Sequence, residues 1–329
     1  MFVEYIWIGG NDEMRSKTRV LHNTNVIPVW DFDGSSTQQA QGTDSEIVLI
    51  PHTVFHDPIR GFPHKLVMCE TAHPNGEFMG NRHWAEWLFN QALDEEPWFG
   101  LEQEYFILDP KTHYPLGYDK TKQQGQYYCS VGTENAFGRD IAEEHLKLCV
   151  GAGIKISGIN AEVAPGQWEF QVGPCIGIES GDHLWVARYL LNRVGEKHGV
   201  IINYDPKPFH QLNGSGCHAN YSTKHMREGS DTVTGLVFID YAIETLSRKH
   251  LEHMSKYGTG NITRMTGNHE TADFYTFTHG IANRGDSVRR GNQTVRDEKG
   301  YFEDRRPASN CDPYLVTGML FKTTVIDLM

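Results

Sequence analysis

No two cysteines in this sequence sit at metal-binding or redox spacing: Cys69, Cys129, Cys149, Cys175, Cys217 and Cys311 are scattered singly, without a C-x-x-C pair. That argues against a structural zinc site and a disulfide framework. Long apolar runs are missing as well, so no membrane association is expected. Met1-Phe2-Val3-Glu4 lacks the basic and apolar segments of a secretory signal, and a reducing, cytoplasmic setting is the expectation. The sequons at Asn213, Asn220, Asn261 and Asn292 then carry no glycan. Basic charge is in short supply. With 30 Lys and Arg against 42 Asp and Glu, the net charge is −12, a balance that disfavours nucleic acid as a partner and fits a protein that concentrates carboxylates in a site. The chain shows no internal repeat and no low-complexity segment.

What is present divides in two. A chain of 329 residues exceeds a comfortable single core, and two units of unequal size are expected, residues 1–78 and 79–329. The first reads as β-rich. Tyr5-Ile6-Trp7-Ile8 is a strand stopped by Gly9-Gly10, Lys17-Thr18-Arg19-Val20-Leu21 is its hairpin partner, and Ile47-Val48-Leu49-Ile50-Pro51 and Lys65-Leu66-Val67-Met68-Cys69 continue the sheet. Residues 29–37 between them read as a polar surface loop, anchored by Trp30 and Phe32. In the second unit, apolar spacing predicts helices over residues 83–93, 140–150, 181–199 and 234–257, and Asp312-Pro313 starts a last one. Residues 154–163 and 167–172 read as a hairpin turning through Ala164-Pro165-Gly166.

The chemistry gathers on that second unit. Gly100-Leu101-Glu102-Gln103-Glu104-Tyr105-Phe106-Ile107 reads as a strand, so Glu102 and Glu104 point to one face with Cβ atoms roughly 6.5–7 Å apart. Two repelling carboxylates need water or cations. Glu162 and Glu169 lie in apolar runs of the hairpin, where a lone buried carboxylate is costly. For each acid a salt bridge or an outward-facing position is about as good an explanation as a ligand; four of them in strands of one unit shift the balance to metal. Asn213-Gly214-Ser215-Gly216-Cys217-His218-Ala219-Asn220-Tyr221-Ser222 adds a Gly-rich approach and places His218, Asn220 and Ser222 on one strand face, and Glu303 completes the acidic set. Five carboxylates and one imidazole without a thiolate suit hard divalent ions, Mg²⁺ or Mn²⁺. The charge implies two or more ions, as in phosphoryl transfer. Arg264, Arg284, Arg289, Arg290, Arg305 and Arg306 follow; salt-bridge partners are the plain reading, but beside the Gly-rich segment clamps for phosphate and carboxylate are preferred.

Taken together, these residues resemble the glutamine synthetase family, in its short eukaryotic-type (type II) class. The matching segments are Trp30-Asp31-Phe32-Asp33-Gly34-Ser35-Ser36-Thr37, Trp98-Phe99-Gly100-Leu101-Glu102-Gln103-Glu104-Tyr105, Asn160-Ala161-Glu162-Val163, Gly166-Gln167-Trp168-Glu169-Phe170, Gly181-Asp182-His183-Leu184-Trp185, and residues 213–222, 266–271 and 300–307. The eight segments stand in family order, and the resemblance runs from Tyr5 almost to the end of the chain.

The resemblance implies an α+β fold, with a small N-terminal β-grasp domain followed by a larger catalytic domain of antiparallel strands backed by helices. It implies ligation of ammonia to L-glutamate with ATP as co-substrate, through γ-glutamyl phosphate. Two or three metal ions per site would be held by Glu104, Glu162 and Glu169 on the glutamate side and by Glu102, His218 and Glu303 on the ATP side. Arg289 and Arg305 match the phosphate and transition-state clamps, Arg264 and Arg284 the groups that hold glutamate and nucleotide phosphates, and Asn213 and Gly214 the contacts to the glutamate backbone. Trp98, Asn220, Ser222, Arg227 and Tyr301 match the nucleotide contacts. Asp33 matches the base that takes a proton from ammonium, reaching into a neighbouring subunit's site, and Glu270 the flap residue that closes over the acyl phosphate. The implied assembly is a homodecamer of two stacked five-membered rings.

Several features depart from the family pattern. Residues 123–128 stand where a Pro- and Gly-rich loop is usual, Arg289-Arg290-Gly291-Asn292-Gln293 lacks a common proline and is one residue longer, the termini are short, which would weaken contacts between rings, and no adenylylation loop is visible. Two other readings are a sister ligase using a larger amine, against which Asp33 and Glu270 argue, and a non-catalytic relative, against which the full ligand set argues.

Overall fold

The computed structural model describes residues 1–22 and 26–329. Strands β1 (Phe2–Ile8), β2 (Met14–Val20), β3 (Trp30–Asp33), β4 (Glu46–His56) and β5 (Lys65–Ala72) form a mixed sheet in the order β2-β1-β5-β4-β3. The pair β1–β5 is parallel, and the other neighbours are antiparallel. Here the structure corrects the expected surface loop at residues 29–37. Trp30-Asp31-Phe32-Asp33 alternates apolar and acidic residues, the period of a strand, and pairs with β4 from Trp30↔Leu49 to Asp33↔Glu46. A 3₁₀ turn, Gly34–Thr37, follows. Trp30 and Phe32 do anchor it, against the rings of Tyr5 at 5.3 Å and Trp7 at 4.7 Å.

Beyond residue 80 follow α1 (Arg82–Asn90), β6 (Trp98–Leu108), α2 (Arg139–Ala152), β7 (Ile156–Ala161), β8 (Gln167–Ile176), α3 (Glu179–His198), β9 (Ile201–Asn203) and β10 (Cys217–Ser222). Then come α4 (Lys224–Glu228), α5 (Gly235–Arg248), α6 (His250–Met254), β11 (His279–Ile281), β12 (Val288–Arg290), α7 (Asn292–Arg296), β13 (Phe302–Asp304) and α8 (Pro313–Thr324). The strands make one curved sheet in the order β11-β12-β13-β10-β6-β8-β7, with β9 paired to β6. All its pairs are antiparallel except β11–β12. The fold is α+β, as expected.

Two further expectations need correction. The single helix over residues 234–257 is two helices, broken at Lys249. No Pro or Gly causes the break; it lets His250 turn inward to the Phe274 carbonyl at 2.9 Å and His253 to Tyr257 and Thr323. The strand expected over residues 154–163 ends at Ala161, so Glu162 sits in the hairpin turn rather than on a strand.

The two sheets are separate, but one face of the small sheet joins the main core, while Val3, Tyr5, Trp7, Leu49 and Val67 form a cluster of their own. Ile6, Phe55, Leu66 and Met68 of the small sheet belong to the same buried cluster as Phe99, Leu101, Trp168, Leu184 and Phe321. Buried polar contacts stitch the same seam: Asp182 of α3 accepts from Thr53 of β4, from Arg82 of α1 through two nitrogens, and from the Tyr314 hydroxyl of α8. With all of its oxygens satisfied, a buried ion pair of this kind holds elements in register.

Candidate active site

Strand β6 runs through the middle of the large sheet, and its alternation sorts its side chains. Glu102 and Glu104 project to one face, and Gln103 projects to the other, where it is fully buried. The register then assembles the partners: His218 stands opposite Glu102, Glu169 opposite Glu104, and Glu303 opposite Asn220 on β13. Two groups result, Glu102–His218–Glu303 and Glu104–Glu162–Glu169, and within each a ligand atom from every residue lies within 4.8 Å of the others.

Hydrogen bonds aim these carboxylates. Asn220 donates to Glu102 at 2.8 Å, the Gly216 amide to Glu104 at 2.6 Å, Asn160 to Glu162 at 3.1 Å, and Gln171 to Glu169. Gly216 is a close approach: a Cβ there would stand 2.7 Å from the His218 Nε2 and 3.0 Å from the Arg264 Nη1.

The electrostatics of the two groups differ. Burial, and then the charge of neighbouring carboxylates, pushes Glu104 up to about 8 and Glu169 up to about 9; burial pushes Glu162 up to about 7. Among the described residues none of the three has an ion-pair partner within 4 Å. An all-oxygen set, buried and short of positive charge, fits a hard divalent cation. In the other group His218 is held well below the ordinary histidine range by burial and by the Arg305 guanidinium. A neutral imidazole has the lone pair that a metal needs. Its Nδ1 lies 3.5 Å from both Glu102 and Glu303, and Glu303 also pairs with Arg305 at 2.8 Å and with Arg289. This donor set fits Mn²⁺ or Mg²⁺ as well.

Cavities open on either side of the acids. One, narrow at about 30 Å³, is lined by Glu104, Glu162, Asn213, Gly214, His218, Arg264, Glu270, Arg284 and Arg305. The other, of about 460 Å³ and mainly apolar, is lined by Trp98, Glu102, Asn220, Ser222, Arg227 and Tyr301. In it the Arg227 guanidinium stacks 4.0 Å over the Trp98 ring and donates to the Ser222 hydroxyl at 3.0 Å, forming a flat cationic and aromatic wall suited to a base. Arg264 is largely committed to the backbone: Nε donates to Asn261, and Nη2 to the carbonyls of Arg305, Arg306 and Pro307. Burial lowers it to about 10, so it stays charged. Arg289 lines neither cavity and is held by Glu303.

Glu270 bridges to Arg284 at 2.8 Å, and its carbonyl faces Arg305 at 3.4 Å. Both Glu270 (φ +65°) and His269 (φ +52°) adopt left-handed backbone conformations, uncommon for residues with side chains and a mark of a strained segment. Asp33 stands apart from both cavities. Its exposed carboxylate caps the turn after β3, and hydrogen bonds from Ser35 and Ser36 hold it down at about 2.

Sequence reasoning missed the support beneath the site. Gln103 takes two hydrogen bonds from Arg188 and gives one each to the Glu104 and Ser309 carbonyls. Arg188 in turn donates to the Cys311 and Ser309 carbonyls. The available signal was a charged residue inside the apolar run Trp185-Val186-Ala187-Arg188-Tyr189-Leu190-Leu191.

Residues 84–234 match the model of the glutamine synthetase catalytic domain. The chain is 51% identical to a cytosolic glutamine synthetase isozyme of Pinus sylvestris, across 99% of this chain and 94% of that one. It is 52% identical to a nodule isozyme of Lupinus luteus, across 99% and 95%, and 51% identical to a chloroplastic glutamine synthetase of Brassica napus, across 99% and 78%.

Proposed function

The chain belongs to the glutamine synthetase family, in its short eukaryotic-type class, and from that premise we propose how its residues carry the reaction. The activity is ATP-dependent ligation of ammonia to L-glutamate. The glutamate γ-carboxylate attacks the γ-phosphorus and ADP leaves; ammonia then attacks the acyl carbon of γ-glutamyl phosphate, and phosphate leaves. The observation that carries the division of labour is the pair of acidic groups lying between two cavities.

In this reading the 460 Å³ apolar cavity takes ATP, with the base against Trp98 and Arg227 and further contacts from Asn220, Ser222 and Tyr301. The narrow cavity takes glutamate through Asn213, Gly214, Arg264 and Arg284. Glu104, Glu162 and Glu169 would hold one Mg²⁺ or Mn²⁺ and Glu102, His218 and Glu303 another, with two or three ions per site. When bound, these ions neutralise phosphate charge during transfer. Arg305, fixed beside Glu303 and facing the glutamate cavity, stabilises charge on the transferring phosphoryl group. Arg289, which pairs with Glu303, is its second clamp. Glu270 and the strained segment around it form the flap that keeps water from the acyl phosphate.

Asp33 completes the ammonium site of a neighbouring subunit in a decamer of two five-membered rings. Its exposure and its distance from the chain's own cavities support that assignment. The serine hydroxyls keep it anionic, which favours holding ammonium over keeping its proton. The residue ranges 1–78 and 79–329 serve as the two domains, and the six free thiols favour a cytoplasmic setting. The metal assignment is tested by thermal unfolding of metal-stripped protein. Mn²⁺ or Mg²⁺ should raise the Tm at pH 8, and Glu169→Gln should remove much of that rise; an undiminished rise would exclude Glu169 as a ligand.

A further inference from the structure

We propose that Gln124 is a positioning residue, which decides the hydrogen-bonding face that Asn213 turns toward the amino-acid substrate. The proposal rests on the reading of Asn213 as a glutamate contact. Gln124 grips Asn213 twice: its Oε1 accepts from the Asn213 backbone amide at 2.8 Å, and its Nε2 donates to the Asn213 Oδ1 at 2.8 Å. The orientation of both side-chain amides follows from these connections. A backbone N–H can only donate, so the Gln124 atom facing it must be the oxygen. The other Gln124 atom is then the NH₂ group, and the Asn213 atom that meets it must be the acceptor. Asn213 is left with Nδ2, which has no partner among the described residues, on a side chain lining the cavity that also holds Glu104, Arg264 and Arg305. A neutral NH₂ donor there faces an oxygen of the substrate, and its carboxylates are the oxygens that an amino acid brings.

The clamp is mounted on the site itself. The Gly125 amide donates to the Val163 carbonyl at 2.7 Å and the Cys129 amide to the Ala161 carbonyl at 3.0 Å, on either side of Glu162. At the other end Gln211 donates to the Tyr118 hydroxyl at 3.0 Å. The loop around Gln124 is therefore tied both to the hairpin turn that bears Glu162 and to the segment that leads into Asn213. Without the Gln124 donor, the broad terminal torsion of Asn213 allows its amide to turn over, presenting Oδ1 to a carboxylate.

Gln124→Glu is the direct test, because it keeps the acceptor for the backbone amide while replacing the donor with a second acceptor. Asn213 then satisfies the new carboxylate by turning Nδ2 away from the substrate. The KM for glutamate should rise about tenfold, the scale of one hydrogen bond to a charged group, with the KM for ATP within about twofold. Gln124→Ala should give a smaller rise of the same kind. In an Asn213→Ala background, Gln124→Glu should add nothing. An unchanged glutamate KM in Gln124→Glu, while Asn213→Ala raises it, would overturn the proposal and leave the reading of Asn213 standing. An unchanged KM in Asn213→Ala would overturn that reading instead. Additive effects of the two changes, or equal rises for glutamate and ATP, would make Gln124 a structural residue only.

Discussion

Glu169 sits about two units above Glu162, at about 9 against about 7, because it faces Glu102, Glu104 and Glu162 at once while Glu162 has Arg284 nearby. Folded without metal, Glu104, Glu162 and Glu169 retain protons that the unfolded chain gives up above the ordinary glutamate value. The native state binds more protons than the unfolded one, so the stability of the metal-free fold falls as pH rises from about 4.5 to about 9. Divalent ions take the deprotonated carboxylates, and their effect runs the other way. The Tm gain on adding Mn²⁺ should therefore be larger at pH 8.5 than at pH 6 in differential scanning of stripped protein, and Glu169→Gln should flatten the difference. An equal gain at both pH values would contradict the assignment. All six acids and imidazoles of the two groups were legible in the sequence because each breaks a local pattern. Gln103, Arg188, Asn160 and Gln171 were not, since polar residues that satisfy one another through the fold leave no mark in a short window.

Among the elements, β6 was legible because a period of two is enough to place Glu102 and Glu104 on one face. Strand β3 was misread as a loop: its alternation is only four residues long, and the turn residues Gly34, Ser35 and Ser36 masked it. The break at Lys249 had no breaker residue to announce it, being set by what His250 and His253 reach. The segment carrying His269 and Glu270 was assigned as the flap by its resemblance, and its two left-handed residues could not be read from the sequence. Removing the Glu270 carboxylate frees Arg284 and opens the cavity without touching the nucleotide wall. Glu270→Ala should leave ATP binding and assembly intact while lowering glutamine formation by roughly 10²-fold, the scale of lost positioning at the reacting centre; unchanged turnover in a steady-state assay would refute the flap role.

At the scale of the molecule, the small sheet is more than an appendage, because it shares the main core and is locked to it through Asp182. It holds Asp33 rigidly at an outer edge, away from the cavities of its own chain. A site divided between neighbours makes a definite demand on mixtures. Asp33→Ala should raise the KM for ammonium and Arg305→Ala should abolish turnover. When the two are unfolded and reassembled together, roughly a quarter of interfaces in a closed ring pair an intact Arg305 with an intact Asp33. Activity recovered on that scale supports the shared site, and no recovery from well-formed hybrids removes it. The most direct test of the whole account is phosphate release from ATP in the presence of Mg²⁺, compared with and without glutamate and across ammonium, hydroxylamine and larger amines. Release should require glutamate and be fastest with ammonium. Preference for a larger amine, or no release from assembled protein, would contradict it.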